Sequence, residues 1–262
     1  VDRNAHMPKA KHFPDWVPRP GALAEIHRKI QDTSTVVKKE ECLDLPPLVR
    51  QQVFVPLSKQ QAKLYAEMKQ DFVTYVGTRA CVATLAITKA LRLMQIVSGF
   101  ITLAGSDGED PQDVNIKENP RAEALKELLA DITPRAKVVT WSHFRHGYAT
   151  IRAVCEAIGV KYVELHGDVA PKARQEAIDS FATDPDVRVF IGHASSGGVG
   201  ISLVAASHVI FYSRGFSLEN DIQAEARCYR GGSEQHQSIT RIDLIAEGTI
   251  DELIAERLAS KQ

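Results

Sequence analysis

Val187-Arg188-Val189-Phe190-Ile191 is followed, after Gly192-His193-Ala194, by Ser195-Ser196-Gly197-Gly198-Val199-Gly200. The first run is short, apolar and rich in β-branched residues, the signature of a buried strand. The second is a glycine-rich turn at that strand's carboxyl end. In an open parallel sheet, ligands bind at this edge. Glycines there let backbone N–H groups come close to a phosphate, although a tight turn needs glycine for its dihedrals alone. The turn is not a P-loop, because no lysine follows its last glycine, and no part of the chain reads G-x-x-x-x-G-K-[ST]. It is not G-x-G-x-x-G either.

Outward from this stretch, strand and helix signals alternate from Pro120 to the end. Strands are expected at 137–141, 161–165, 208–212 and 239–245, with helices at 121–131, 143–158, 171–181, 218–230 and 249–258. Pro171 suits a first helical turn, and Gly159 a helix C-cap. Strands separated by helices of this length imply a parallel sheet covered on both faces. Upstream, the pattern predicts a helix at 21–30, a short strand at 53–57 ending at the N-cap residue Ser58, and long helices at 57–76 and 80–97. An acidic surface loop is expected over 104–118. The division expected is 1–117, a connector with a helical insert, and 118–262, an α/β domain.

The 218–230 segment carries Gln223, Arg227 and Arg230. With Gln223 at zero on an ideal helical wheel, Arg227 falls at about +40° and Arg230 at about −20°, so the three share a face. Leu218, Ile222, Ala226 and Tyr229 form the neighbouring face, expected to pack on the sheet. Ser217 is the natural cap, with Glu219 and Asp221 in the first turn. Paired guanidiniums stabilise charge on a transferred phosphoryl group; the same pattern also fits a solvated polar face.

Bulk composition sets limits. The 262 residues carry 32 basic against 33 acidic side chains, so a nucleic-acid contact must come from a local patch. Cys42, Cys81, Cys155 and Cys228 form no C-x-x-C pair, which favours free thiols in a reducing compartment. No apolar run approaches the roughly 20 residues a membrane helix needs. The beginning at Val1 lacks the apolar core of a signal peptide and also fits a piece of a longer protein. His143 and His146 lack a third ligand, so no metal site is expected. Trp16 and Trp141 read as packing residues. Asp251-Glu252 opens a helix and is not an acidic metal motif at a strand end.

Taken in order, these segments resemble the C-terminal RecA-like lobe of superfamily 2 helicases, and more closely the Swi/Snf-type DNA translocases in their compact phage and bacterial form. Lys137-Val138-Val139-Thr140-Trp141-Ser142-His143-Phe144 is similar to the fourth motif. Leu165-His166-Gly167-Asp168, with Arg174 and Phe181, is similar to the following segment, Ser195–Ala206 to the fifth, and Asp221–Arg230 to the sixth. Gly248-Thr249-Ile250-Asp251-Glu252 resembles the closing helix start. Leu45-Pro46-Pro47, Val53–Ser58, Gln61 and Tyr65 resemble the interlobe connector, and Leu91–Phe100 the helix before the second lobe. The sixth motif departs at Ala226, where the family has glycine, and at Tyr229-Arg230-Gly231-Gly232-Ser233.

The resemblance implies a second lobe that closes over ATP and magnesium held mainly by a first RecA-like lobe. Arg227 and Arg230 would reach the γ-phosphate, with Gln223 beside them. Gly198 and Gly200 would shape the coupling loop. Ser142, His143, Ser195 and Ser196 would touch the phosphate backbone of double-stranded DNA. The setting implied is the cytoplasm of a bacterial or phage-infected cell, and this chain by itself would hydrolyse no ATP. Two alternatives stand beside it: a non-catalytic nucleic-acid or protein-binding module of RecA-like shape, and the second lobe of an RNA helicase.

Overall fold

The structure is a computed structural model. It describes residues 17–31, 33–34, 44–71, 73–76, 79–82, 86–103, 110–195 and 200–260. The chain divides into two compact units, Val1–Leu43 and Asp44–Gln262. The first contains helix α1 (Ala22–Ile30), which exposes Leu23, Ile26 and Ile30 along one side.

The second unit is built on a six-stranded parallel sheet. Its strands are β1 (Leu48–Val55), β6 (Lys137–Trp141), β7 (Lys161–Leu165), β8 (Val187–Gly192), β9 (Ala206–Phe211) and β10 (Ile239–Ala246). Their order is β1-β10-β9-β6-β8-β7, and every neighbouring pair is parallel. The central strands are apolar on both faces, as the continuous hydrophobic runs require. Val138, Val189 and Ile210 pack beneath α4 (Pro120–Ile132) and α5 (Arg145–Ala157) with Leu125, Leu129 and Ile151. Val139, Phe190 and Phe211 point the other way, towards Phe181 of α6 (Pro171–Thr183) and Ala224 of α7 (Leu218–Glu225). This is the parallel α/β sheet with helices on both faces that the alternation implied, and the RecA-like form that the resemblance implied.

A third core joins α2 (Lys59–Asp71), α3 (Ala86–Val97) and α8 (Ile250–Ala259) around Met68, Ile96, Ile101 and Ile254. Ser58 and Gln61 cap α2 reciprocally, each side chain accepting the other's backbone N–H, at 3.2 and 3.1 Å. Asn119 and Ser217 cap α4 and α7.

Several expected boundaries move. The strand near 53–57 runs over Leu48–Val55 and is the sheet's edge, paired along its length with β10, so the sheet reaches upstream of residue 118. The first long helix stops at Asp71, because Val73-Thr74-Tyr75-Val76 is a β-branched and aromatic run. That run forms β2 (Val73–Val76), antiparallel to β3 (Arg79–Val82), and the second helix begins only at Ala86. Part of the expected 104–118 loop is strand β5 (Gln112–Asn115), which pairs with β4 (Phe100–Leu103). Residues 104–109 lie outside the described residues.

Candidate nucleotide and nucleic-acid site

The carboxyl ends of β6, β8 and β9 converge on one edge, where Ser142, His143 and Ser195 meet, while the arginine segment lies against Ile201–Val204, before the amino end of β9. Ser142 lies one residue beyond β6, and its hydroxyl donates to the Phe144 carbonyl at 3.0 Å and meets the Ser213 hydroxyl at 3.2 Å. Its relative exposure is 0%. Ser142 therefore cannot present its side chain to a nucleic-acid phosphate here; it holds the β6 and β9 exits together. Gly147 is required beside it, since a Cβ there would lie 2.1 Å from the Ser142 Oγ.

His143 is half-buried. Its ring packs edge-on to Phe144 and lies against Gly215, in a small cleft shared with His193, Arg214, Phe216 and Asn220. The His193 Nδ1 accepts the Ser195 backbone N–H at 3.0 Å, which leaves Nε2 to donate to the His143 carbonyl at 3.1 Å. Burial lowers the pKa of both histidines; the neighbouring imidazole adds to this for His143, and the bond to a carbonyl works against it for His193. Ser195 is exposed at the start of the glycine turn. Ser196 and Gly198 lie outside the described residues, whereas Gly200, at φ +20°, is exposed.

The arginine segment differs from a continuous helix. Helix α7 ends at Glu225, and residues 226–230 form turns. The Arg227 amide bonds the Ala224 carbonyl at 3.3 Å, a tightened 3₁₀-type link, so the helical-wheel angle assigned to Arg230 does not hold. The two guanidiniums remain neighbours nonetheless. Burial lowers the Arg227 pKa, and the Arg230 charge lowers it further. Arg227 Nε is buried with no hydrogen-bond partner among the described residues. Among the described residues, Arg230 reaches the Ile201 carbonyl, at 3.5 Å. Gln223 stays on α7, donating to Glu219 at 3.1 Å. The turn is tied to the segment after the glycines: Leu203 N–H donates to the Arg227 carbonyl at 2.9 Å, and His236 bonds the Val204 carbonyl at 2.8 Å. The structure thus brings Arg227 and Arg230 against Ile201–Val204.

The face by which α7 grips the sheet was misjudged from sequence. Ile222, expected to pack, is 46% exposed, and the buried positions are Asp221, Ala224 and Glu225. The physical reason is the strand opposite. Arg241 and Asp243, two apart on β10, point to the α7 side, so the helix answers with carboxylates. Arg241, stacked 4.2 Å over the Phe211 ring, forms ion pairs with Asp243, Glu225 and Asp221 at 3.0, 3.0 and 2.9 Å. Arg214 bridges Asp221 and Asp243 at 2.9 and 2.8 Å. Arg50, from β1, forks onto Glu225 at 2.8 and 3.2 Å. Burial opposes the Arg241 charge, yet Asp243 and Asp221 hold its pKa above the ordinary value. Sequence reasoning overlooked this lattice, although two charged residues inside an otherwise apolar final strand were its visible signal.

Elsewhere, Asp251 pairs with the buried Arg121 and accepts the Ala246 amide, so it is a structural carboxylate. His146 stacks on Phe100 at 4.3 Å and meets Asn115 at 2.6 Å. Among the described residues there is no group of three potential metal ligands, and no helix long and apolar enough to cross a membrane.

Residues 120–232 match the helicase conserved C-terminal domain. The chain is 28% identical over 254 residues to human DNA repair and recombination protein RAD54B, covering 93% of this chain and 26% of that protein. It is 33% identical over 155 residues to the ATP-dependent helicase fft2 of Schizosaccharomyces pombe, covering 57% and 12%. It spans about a quarter or less of these relatives' length. Among solved structures it resembles the C-terminal part of the Fun30 ATPase domain, with TM-score 0.59 and 20% identity over 82% of this chain and 90% of that one. It also resembles the Sulfolobus solfataricus SWI2/SNF2 ATPase core in complex with dsDNA, with TM-score 0.61 and 24% identity over 91% and 50%.

Proposed function

We propose that this chain, a Swi/Snf-type helicase C-terminal lobe, is the half of an ATP-driven double-stranded-DNA translocase that supplies arginines to an ATP site shared with a second, P-loop-bearing RecA-like lobe. One observation carries the reading. Arg50, Arg121, Arg214 and Arg241 are each held by a carboxylate, whereas Arg227 and Arg230, both against Ile201–Val204 just before the amino end of β9, have no carboxylate partner among the described residues. A half-buried guanidinium with an idle N–H, next to a like charge, fits an incoming polyanion.

In this reading the triphosphate, with magnesium, supplies the reactive phosphoryl group and is held mainly by the other lobe. Arg227 and Arg230 bind its γ-phosphate and stabilise the charge that develops on it. Gln223 lies on the helix leading into them. Gly198 and Gly200 shape the loop that links nucleotide state to DNA grip. Ser195, Ser196 and His143 are the contacts proposed for the DNA backbone, and Ser142 sets their framework from beneath. The solved SWI2/SNF2 core bound to dsDNA, of which this chain matches half, supports both the DNA partner and the two-lobe arrangement. Buried free thiols at Cys155 and Cys228 agree with a reducing cytoplasm.

The test is ATP turnover, with and without double-stranded DNA, by this chain joined to a P-loop lobe. DNA-stimulated turnover that disappears in Arg227→Ala and Arg230→Ala is expected. DNA-stimulated turnover indifferent to both substitutions would reject the arginine role, and DNA binding without any turnover would favour a binding module.

A further inference from the structure

We propose that Arg50 and Glu225 form a strut that fixes the position of the Arg227–Arg230 turn, making both positioning residues for the arginines above; the catalytic consequence, though not the strut, rests on that reading. Glu225 is the last residue of α7, two positions before Arg227. Both of its carboxylate oxygens are engaged: Oε1 by Arg50 NH2 at 2.8 Å, and Oε2 by Arg50 Nε at 3.2 Å and Arg241 NH1 at 3.0 Å. Its own backbone carbonyl accepts the amides of Cys228 and Tyr229, at 3.2 and 3.0 Å. The turn carrying the arginines is therefore wrapped on the main chain of a residue whose side chain is clamped.

The clamp reaches across the sheet to a distant part of the chain. Arg50 lies 175 positions upstream, on the edge strand β1, which joins the sheet by pairing with β10 alone. Asp221, one helical turn before Glu225, is held by Arg214 and Arg241, so α7 is fixed at two carboxylates four residues apart. The inner anchor is buried: the Asp221 and Arg241 side chains are 4% and 3% exposed. Arg50, at 53%, is the accessible member. Removing it leaves the sheet's core intact but deprives Glu225 of a two-pronged partner that a lysine cannot copy.

Hydrogen exchange on this chain reads the strut directly, without any assumption about ATP. In Arg50→Ala, the Cys228 and Tyr229 amides are expected to exchange at least about tenfold faster, while those of Ile151 and Val154 in α5 keep their protection. Arg50→Lys should fall between. Glu225→Gln, which keeps the side chain's shape and one acceptor oxygen, should also quicken the two amides, and it serves if Arg50→Ala does not fold. Unchanged exchange at Cys228 and Tyr229 in these variants overturns the proposal. In the protein joined to its P-loop lobe, Arg50→Ala should lower kcat on the order of tenfold with little change in KM for ATP. An unchanged kcat, with Arg227→Ala inactive, overturns the positioning role. If Arg227→Ala is itself harmless, the arginine reading has failed, and the exchange result still decides the strut.

Discussion

Arg227 occupies a place that folding alone would not select. Its Nε is shielded from water without a partner among the described residues, and both burial and Arg230 disfavour its charge. An unmet buried donor costs about 1–3 kcal/mol, so truncation should leave the fold no less stable. Arg227→Ala is expected to keep or slightly raise the thermal midpoint of this chain, while turnover of the joined protein falls on the order of a thousandfold. A large drop in midpoint would show instead that Arg227 is a structural residue. The two histidines at the carboxyl edge make stability depend on pH. His143 and His193 have pKa values below the ordinary 6.5, so at mildly acidic pH the unfolded chain binds protons that the folded chain refuses. Their contribution to stability is complete above the unfolded value and is lost as pH falls through 6.5 towards the depressed folded values. Denaturant titrations at descending pH should show that loss, and it should shrink in His193→Gln; an equal loss in the variant would assign it to other groups.

At the scale of elements, what the sequence revealed depended on which force holds each piece. The strands of the central sheet were legible because apolar runs bounded by glycine and proline have one stable use in a chain this long. The pairing of the segment after the glycines with the arginine segment is seen in the structure, which brings Ile201–Val204 and Arg227 together. Helix ends were not legible where tertiary contacts decide them. Helix α7 yields to turns after Glu225 because that side chain is pinned by Arg50 and Arg241 and the following amides close on its carbonyl. Nor could a wheel of apolar residues reveal a helix that packs through Asp221 and Glu225, since charge pairing across 16 and 175 positions leaves no periodic trace. The same holds for Arg121, whose side chain is 2% exposed and joins α4 to Asp251 at the start of α8. Breaking such a pair from one side leaves the other charge buried. Arg121→Ala should therefore destabilise the chain by about 3–5 kcal/mol in denaturant unfolding, far more than loss of an exposed pair such as Arg135–Asp131. Equal effects from the two would mean that the Arg121 site relaxes and admits water.

At the scale of the whole molecule, charge is spent internally. The chain carries 32 basic and 33 acidic side chains, and Arg50, Arg121, Arg152, Arg214 and Arg241 are committed to buried or half-buried carboxylates. With totals so balanced, a strong hold on a duplex would need a local basic patch, and the carboxyl edge offers neutral groups, Ser195 and His143. In the two-lobe reading proposed above, such a lobe would grip DNA and triphosphate against an opposing surface. Two consequences follow for this chain studied by itself. Its DNA binding should be weak and should fall steeply between about 50 and 200 mM salt, because phosphate contacts release counterions. It should also turn over no ATP, since no stretch of its sequence forms a P-loop. Measured under the same conditions, the protein joined to a P-loop lobe should gain DNA-stimulated turnover and bind at higher salt. ATP hydrolysis by this chain alone that survives purification and vanishes in Arg227→Ala would place a complete site within these 262 residues, and the division of labour between two lobes would have to be abandoned.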